Sequence, residues 1–341
     1  MRVAIIGAGP AGLFAGAGLA NRGHQVIAVE RDPGPATDGS WPRLGVMQFH
    51  HAHAFRHQVV QALERELPGA LQRWLAAGAE PGPLMNPIAW QADLDGYQAI
   101  IFVHERGMFS VLLVRPVADR VLSQLRHESA FTAACQAIPG LADWVDPARS
   151  RPITPVLPGG PLLNAYRGQT GPDGRLALPG LVFVGDAVAT TTPTFGRGVT
   201  TTLWQAQRLL GLIDEHGTDA DAIGESFDAW CAEQIKPWVD DHVRMDEATQ
   251  RRWAGEDVDL RQPLPSDLIL AATQADPSIF PAVIGYLQMT AQPSSLQAVE
   301  PRARALYAAG WRPSPAPGPT RGELADIVRA ALHTAPAPAM A

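Results

Sequence analysis

Val3-Ala4-Ile5-Ile6-Gly7-Ala8-Gly9-Pro10-Ala11-Gly12 is the stretch from which the fold is read. Four apolar, mostly branched residues predict a buried parallel strand, and the G-x-G-x-x-G after them predicts the turn into a helix. Each glycine has its own task in such a turn. Gly7 permits the tight reversal, Gly9 lets the backbone approach a pyrophosphate, and Gly12 lets the helix lie close on the strand. The helix then turns its unpaired N–H groups and positive dipole end toward the phosphates. The surroundings agree. A helix is predicted over 13–22 and stops at Gly23. A second strand follows over Gln25-Val26-Ile27-Ala28-Val29, and Glu30 lies 18 residues beyond Gly12, where an acid holding a ribose hydroxyl is expected. The alternative, in a chain with 32 glycines, is a glycine-rich helix packed tightly on a sheet.

The bulk composition narrows the field. A chain of 341 residues suggests about two domains, and 46% apolar with 18% charged residues is globular in character. A net charge of −7 leaves no basic surplus for nucleic acid or for an anionic membrane surface. Cys135 and Cys231 are far apart and form no C-x-x-C, so neither a disulfide framework nor a thiolate metal site is expected, and a reducing cytoplasm is the expected compartment. The first 20 residues have the outline of a signal peptide, but Gly7, Gly9, Pro10 and Gly12 would break its apolar helix. No apolar run is long enough to predict a transmembrane helix.

After a polar loop containing Arg43 come His50, His51 and His53. No Asp, Glu or Cys at recognised spacing completes a metal-ligand set, which leaves contact to a cofactor or substrate, or a solvated or capping role. Helices are predicted over 53–67 and 71–77, and a Pro- and Gly-rich linker over 80–96. Two β-rich runs over 98–104 and 108–114 read as a hairpin, followed by helices over 117–126 and 129–137. Gly180-Leu181-Val182-Phe183-Val184 has no polar residue and predicts a strand buried on both faces. It runs into Gly185-Asp186-Ala187. Then Pro193-Thr194-Phe195-Gly196-Arg197-Gly198 leads into a helix predicted over 199–213. An acid at the carboxyl end of such a strand sits where α/β sheets bind ligands, and a glycine loop entering a helix suits an anion. A turn or helix-capping acid is the alternative for Asp186. The stretch 219–332 reads as helical, with Asp240, Asp241, His242 and Asp246 on a solvated face rather than at a metal.

With both motifs in hand, the chain resembles the FAD-dependent group A monooxygenases, the para-hydroxybenzoate hydroxylase-like superfamily. It carries a G-V-x-Q-x-x-H-x-H stretch from Gly45 to His53, and G-D followed by P-x-x-G-x-G from Gly185 to Gly198. The resemblance implies an α/β protein: a Rossmann-like FAD-binding sheet over 1–85 and 170–215, a smaller β-rich substrate lobe over 90–169 and a C-terminal helical region over 216–341. It assigns Gly7, Gly9, Pro10, Ala11, Gly12, Glu30 and Arg31 to the ADP half of FAD and Arg43 to the phosphates or ribityl chain. Gly185 and Asp186 fall to the ribityl hydroxyls, and Pro193, Gly196 and Gly198 to the isoalloxazine. It also implies NAD(P)H as co-substrate and O2 hydroxylating a small aromatic or polyketide-like molecule in a dry pocket. His51, His53, Tyr97 and Arg106 are candidate catalytic groups by location only.

One departure from the family pattern bears on function. The block that the family places between its two cofactor motifs, with its R-x-x-L-x-x-x-L-R helix and D-G motif, finds no match here, and residues 80–96 join the flanking parts almost directly. Part of the sheet is therefore expected to be missing. Weak FAD binding, completion by a second copy or a complementary partner, and a shortened non-catalytic paralogue all follow as alternatives. A flavin reductase or dehydrogenase acting without O2 is a further one. The W-x-W-x-I-P of flavin halogenases is absent.

Overall fold

The computed structural model describes residues 1–38, 41, 43, 46, 53, 55–77, 88–104, 107–159, 163–176 and 178–334. The chain opens with β1 (Arg2–Ile6), α1 (Pro10–Asn21) and β2 (Gln25–Val29). The strands pair in parallel, with Arg2 opposite Gln25 and Ile6 opposite Val29. Side chains alternate across a strand. Val3, Ile5 and Val26 therefore share one face and pack with Phe14, Ala15 and Leu19 of α1. The other face carries Ile6, Ile27 and Val29, which are 88%, 69% and 58% exposed. Parallel sheets normally have both faces covered, and here one is bare.

The strand expected over 180–184 is the main correction to the predicted sheet. Val182, Phe183 and Val184 do pack against the core of α1, but among the described residues they form no ladder, and the sheet containing β1 has two strands. The side chain of Gln169 stands in for a neighbouring strand. Its Oε1 accepts from the Phe183 N–H at 2.8 Å and its Nε2 donates to the Phe183 carbonyl at 2.8 Å. The expected burial on both faces is not met: Gly180 and Leu181 are exposed and Val182, Phe183 and Val184 half-buried, because there is no adjacent strand among the described residues to pair with.

After α2 (His57–Glu66) and α3 (Ala70–Ala76) comes an antiparallel sheet in the order β3 (Ile88–Leu94), β4 (Tyr97–Val103) and β5 (Phe109–Val114). β3 lies in the stretch predicted to be linker. Asp95-Gly96 is the two-residue turn between β3 and β4, with Gly96 at φ +76°, a strong hairpin signal that the surrounding prolines obscure. The helix predicted over 117–126 is reduced to a 3-10 turn, Leu122–Arg126. α4 (Glu128–Ala137) and α5 (Pro139–Ala142) pack on the sheet and bury Cys135.

A short antiparallel pair, β6 (Ala165–Tyr166) and β7 (Ala189–Thr190), precedes α6 (Gly198–His216) and α7 (Ala220–Gln234). Then follow α8 (Lys236–Trp253), α9 (Ser266–Ala272), α10 (Phe280–Leu287), α11 (Glu300–Ala308) and α12 (Arg321–Thr334). The stretch after residue 216 does not behave as one region. Ile223, Phe227 and Cys231 of α7 join the first core, α8 to α11 enclose their own core around Trp238, Tyr286 and Tyr307, and Leu324, Ala325 and Val328 of α12 complete the lobe core.

Candidate cofactor site

The first glycine loop has the geometry its spacing requires. Gly7 sits at φ +101°, in the left-handed region that a side chain disfavours. A Cβ on Gly12 would come within 1.9 Å of the Gly7 carbonyl oxygen, so only glycine lets α1 lie this close to β1. A Cβ on Gly9 would meet nothing within 4 Å, and the space in front of the loop is open. Pro10 starts the helix without an N–H, and the first bond back to the loop runs from Leu13 N–H to Gly9 O at 2.9 Å. The N–H groups of Ala11 and Gly12 precede it and are the helix's unsatisfied donors.

Glu30 braces this loop from the end of β2. Its carboxylate accepts from the backbone N–H of Ala8 at 2.7 Å, of Arg31 at 2.8 Å and of Asp32 at 3.1 Å. Those bonds, the Ala8 N–H foremost, hold its pKa below the usual carboxylate range. Arg43 is buried behind it. It donates to Glu30 Oε2 at 2.8 Å, Asp32 Oδ2 at 3.2 Å and the Ala8 carbonyl at 3.0 Å, and its guanidinium lies 4.5 Å from the centre of the Trp41 ring. Arg43 thus ties together the two ends of the loop. The Arg31 side chain is exposed.

The second motif folds onto the first. Gly185 is buried at φ +70°, with its N–H donating to Gln205 Oε1 of α6 at 2.8 Å. A Cβ built on it would stand 3.3 Å from the Ala11 Cβ and 3.5 Å from Thr202 of α6. The Gly185 turn is therefore wedged between the first turn of α1 and the second turn of α6. Asp186 follows at the surface. Its carbonyl accepts from Arg167 Nη1 at 3.0 Å, while its carboxylate makes no hydrogen bond among the described residues. Crowding by protein pushes the Asp186 pKa up, with the Arg167 charge opposing. Pro193 and Gly196 lie in the loop just before α6, Gly196 at φ +59°, and Gly198 is the first residue of α6.

The candidate catalytic groups are scattered. Tyr97 is buried in the lobe core, where its hydroxyl donates to the Pro319 carbonyl at 2.8 Å and burial raises its pKa. His53 is exposed. His51 and Arg106 lie outside the described residues. Among the described residues no three His, Cys, Asp or Glu are grouped to hold a metal, and no helix is long and apolar enough to cross a membrane.

The sequence reading missed the supports of the second loop. Asp241 and His242 were expected on a solvated face, yet both are buried; only Asp240 faces out, paired with Lys236 at 2.6 Å. A signal was available. Trp238, Asp241, His242 and Met245 recur at helical spacing, which puts the polar pair on the apolar face of α8. Asp241 accepts from the Tyr286 hydroxyl at 2.6 Å and from the Ser266 hydroxyl, and it ion-pairs with Arg197 at 3.3 Å.

Residues 1–47 match the FAD binding domain family. The chain is similar to the flavin-dependent brominase Bmp2 at 13% identity, over 91% of this chain and 100% of that one, with a TM-score of 0.57. It also aligns with the flavin-dependent halogenase CmlS at 14% identity, over 91% and 77% of the two chains, with a TM-score of 0.49. HpxO of Klebsiella pneumoniae, solved with FAD and uric acid, aligns at 11% identity over 89% and 96%, with a TM-score of 0.43. Only the first of these likenesses is close enough to speak for the fold. No curated protein matches by sequence. The resemblance to FAD-dependent group A monooxygenase-like proteins is borne out by the match at the amino terminus.

Proposed function

We propose, from an amino-terminal segment that matches an FAD-binding family and a fold shared with a flavin-dependent enzyme, that the chain is an FAD-dependent oxidoreductase. Its reaction is the hydroxylation of a small aromatic or polyketide-like molecule with NAD(P)H and O2. One observation carries the reading: Gly185 lies against Ala11, so two motifs about 175 residues apart in sequence meet at one place.

The residues present fit the group. The open space before Gly9 and the free N–H groups of α1 suit a pyrophosphate. Both oxygens of Glu30 already accept two hydrogen bonds each, from Ala8 and Arg43 and from Arg31 and Asp32, so a ribose hydroxyl would reach Glu30 only by displacing one of them. Asp186, with its unpaired carboxylate, would accept from the ribityl hydroxyls. Pro193, Gly196 and Gly198 would line the ring, where the start of α6 favours negative charge. When bound, FAD supplies the two-electron chemistry, and the chain's task is to hold and orient it and to exclude water. The test is the absorbance spectrum of the purified protein with and without added FAD and NADPH. Flavin bands that bleach with NADPH are expected. No bands, and no shift on adding FAD, overturns the reading.

The bare face of the β1–β2 sheet favours a second reading, a shortened paralogue that binds flavin or a completing partner, or a second copy, without turnover. NADPH oxidation at enzyme-like rates with FAD alone would remove it. Consumption of O2 coupled to hydroxylated product would remove the reductase or dehydrogenase alternative.

A further inference from the structure

Beneath the 192–198 loop lies a buried set of charges. Arg197 is fully buried, its guanidinium 4.8, 4.6 and 4.4 Å from the ring centres of Phe195, Trp238 and Tyr286. Its Nη1 reaches Asp241 Oδ2 at 3.3 Å and His242 Nε2 at 3.1 Å, while Nε and Nη2 have no hydrogen-bond acceptor. An arginine can only donate, so His242 Nε2 accepts and the ring proton sits on Nδ1, facing Thr192 Oγ1 at 3.2 Å. Burial first and the Arg197 charge second push His242 down to about 3, and the ring adds no charge near neutrality.

A second guanidinium contacts the same loop. Arg56 is half-buried and donates to the Phe195 carbonyl at 2.5 Å and the Leu287 carbonyl at 2.5 Å, with no carboxylate in ion-pair range among the described residues. Burial and the nearby Arg197 lower its pKa to about 10, the mark of two like charges facing each other. Among the described residues, the acids facing this loop are Asp241 and Asp246. Asp246 accepts from Asn164 at 2.6 Å and pairs with no guanidinium. Buried Arg197 and half-buried Arg56 therefore share one ion pair among the described residues, and the remaining positive charge is met by carbonyls and ring faces.

We propose that Arg56 and Arg197 are positioning residues that keep uncompensated positive charge against the 192–198 loop, as the counter-charge for an anion held at the start of α6. On the proposed function, on which this inference rests, that anion is the reduced form of the flavin, and the chain binds reduced FAD more tightly than oxidised FAD.

The test is the midpoint potential of FAD bound to the full chain, with the dissociation constants of both redox forms. Arg197→Met and Arg56→Met are expected to weaken the reduced form relative to the oxidised form at least tenfold, a fall of about 30 mV for a two-electron couple. Asp241→Asn removes the compensating negative charge and should move the potential the opposite way. Lysine at either arginine position should restore most of it. If Arg197→Met does not fold, Arg56→Gln, which keeps a donor for the Phe195 carbonyl, and Asp241→Asn carry the test. A purely structural role would weaken both redox forms alike in every variant and leave the potential unmoved, which overturns the proposal. FAD bound at an unchanged potential sinks this inference alone; wild-type protein that binds no FAD sinks the proposed function with it.

Discussion

The loop at 7–12 and the loop at 192–198 follow the same local plan, glycines leading into a helix, but they are braced differently. The first is held by near neighbours in sequence: Glu30 at the end of the next strand, and Arg43 and Asp32 just beyond. The second is held from afar, by Arg56 of the amino-terminal half and by Asp241, His242 and Tyr286 of the carboxyl-terminal helices. The first bracing is partly open to water, and the second is dry. A solvated brace gives geometry at little electrostatic cost, whereas a dry one keeps its charges strong and binds distant parts of the chain into one unit.

Substitutions should separate the two, and the largest effect belongs to the dry brace. Trp238→Ala opens the cage around Arg197 and should cost about 4 kcal/mol of unfolding free energy in a urea titration. Gly12→Ala drives a Cβ against the Gly7 carbonyl, a backbone atom that cannot swing aside, and should cost about 3 kcal/mol together with any affinity for FAD. Tyr286→Phe leaves the cage filled but removes the hydroxyl donor to Asp241, for a loss of about 2 kcal/mol.

Acid should act on the second loop through His242. Its folded-state pKa, about 3, is depressed below the ordinary 6.5, so its contribution is complete above pH 6.5 and is lost as pH falls toward 3. The slope from this one group is at most about 1.4 kcal/mol per pH unit. His242→Gln, which can still accept from Arg197 and donate to Thr192, should flatten that part of a stability-against-pH curve. The smallest effect is expected at the bare sheet face. Ile27→Glu should change stability by less than about 0.5 kcal/mol. A larger loss, or a change of mass in light scattering, would show that this face is covered in solution.

How well each loop could be read from the sequence follows from the same contrast. Gly7, Gly9, Gly12 and Glu30 act on one another within one strand–helix–strand unit, so their spacing carries the geometry directly. Arg197 meets Trp238 and Asp241 only after the chain has crossed α6 and α7, and Tyr286 after α8 and α9 as well, and no local spacing encodes that meeting. The helical recurrence of Trp238, Asp241, His242 and Met245 did announce a buried face; the charges on Lys236 and Asp240 masked it. Two other differences have similar causes. Residues 180–184 were expected to be buried on both faces, but Gly180 and Leu181 are exposed and Val182, Phe183 and Val184 only half-buried against the core, because a strand covered on both sides needs a partner strand. The Asp95-Gly96 hairpin was hidden among prolines and glycines that also signal linkers.

Cys231 lies in the core beneath α1 and α6 and Cys135 in that of the β3–β5 lobe, each with its pKa pushed up to about 12 by burial. Thiolate chemistry is thereby shut off in the native fold. The molecule consequently carries a reporter in each of those compartments: the order in which an alkylating reagent labels the two sulfurs in mild denaturant would reveal which one opens first.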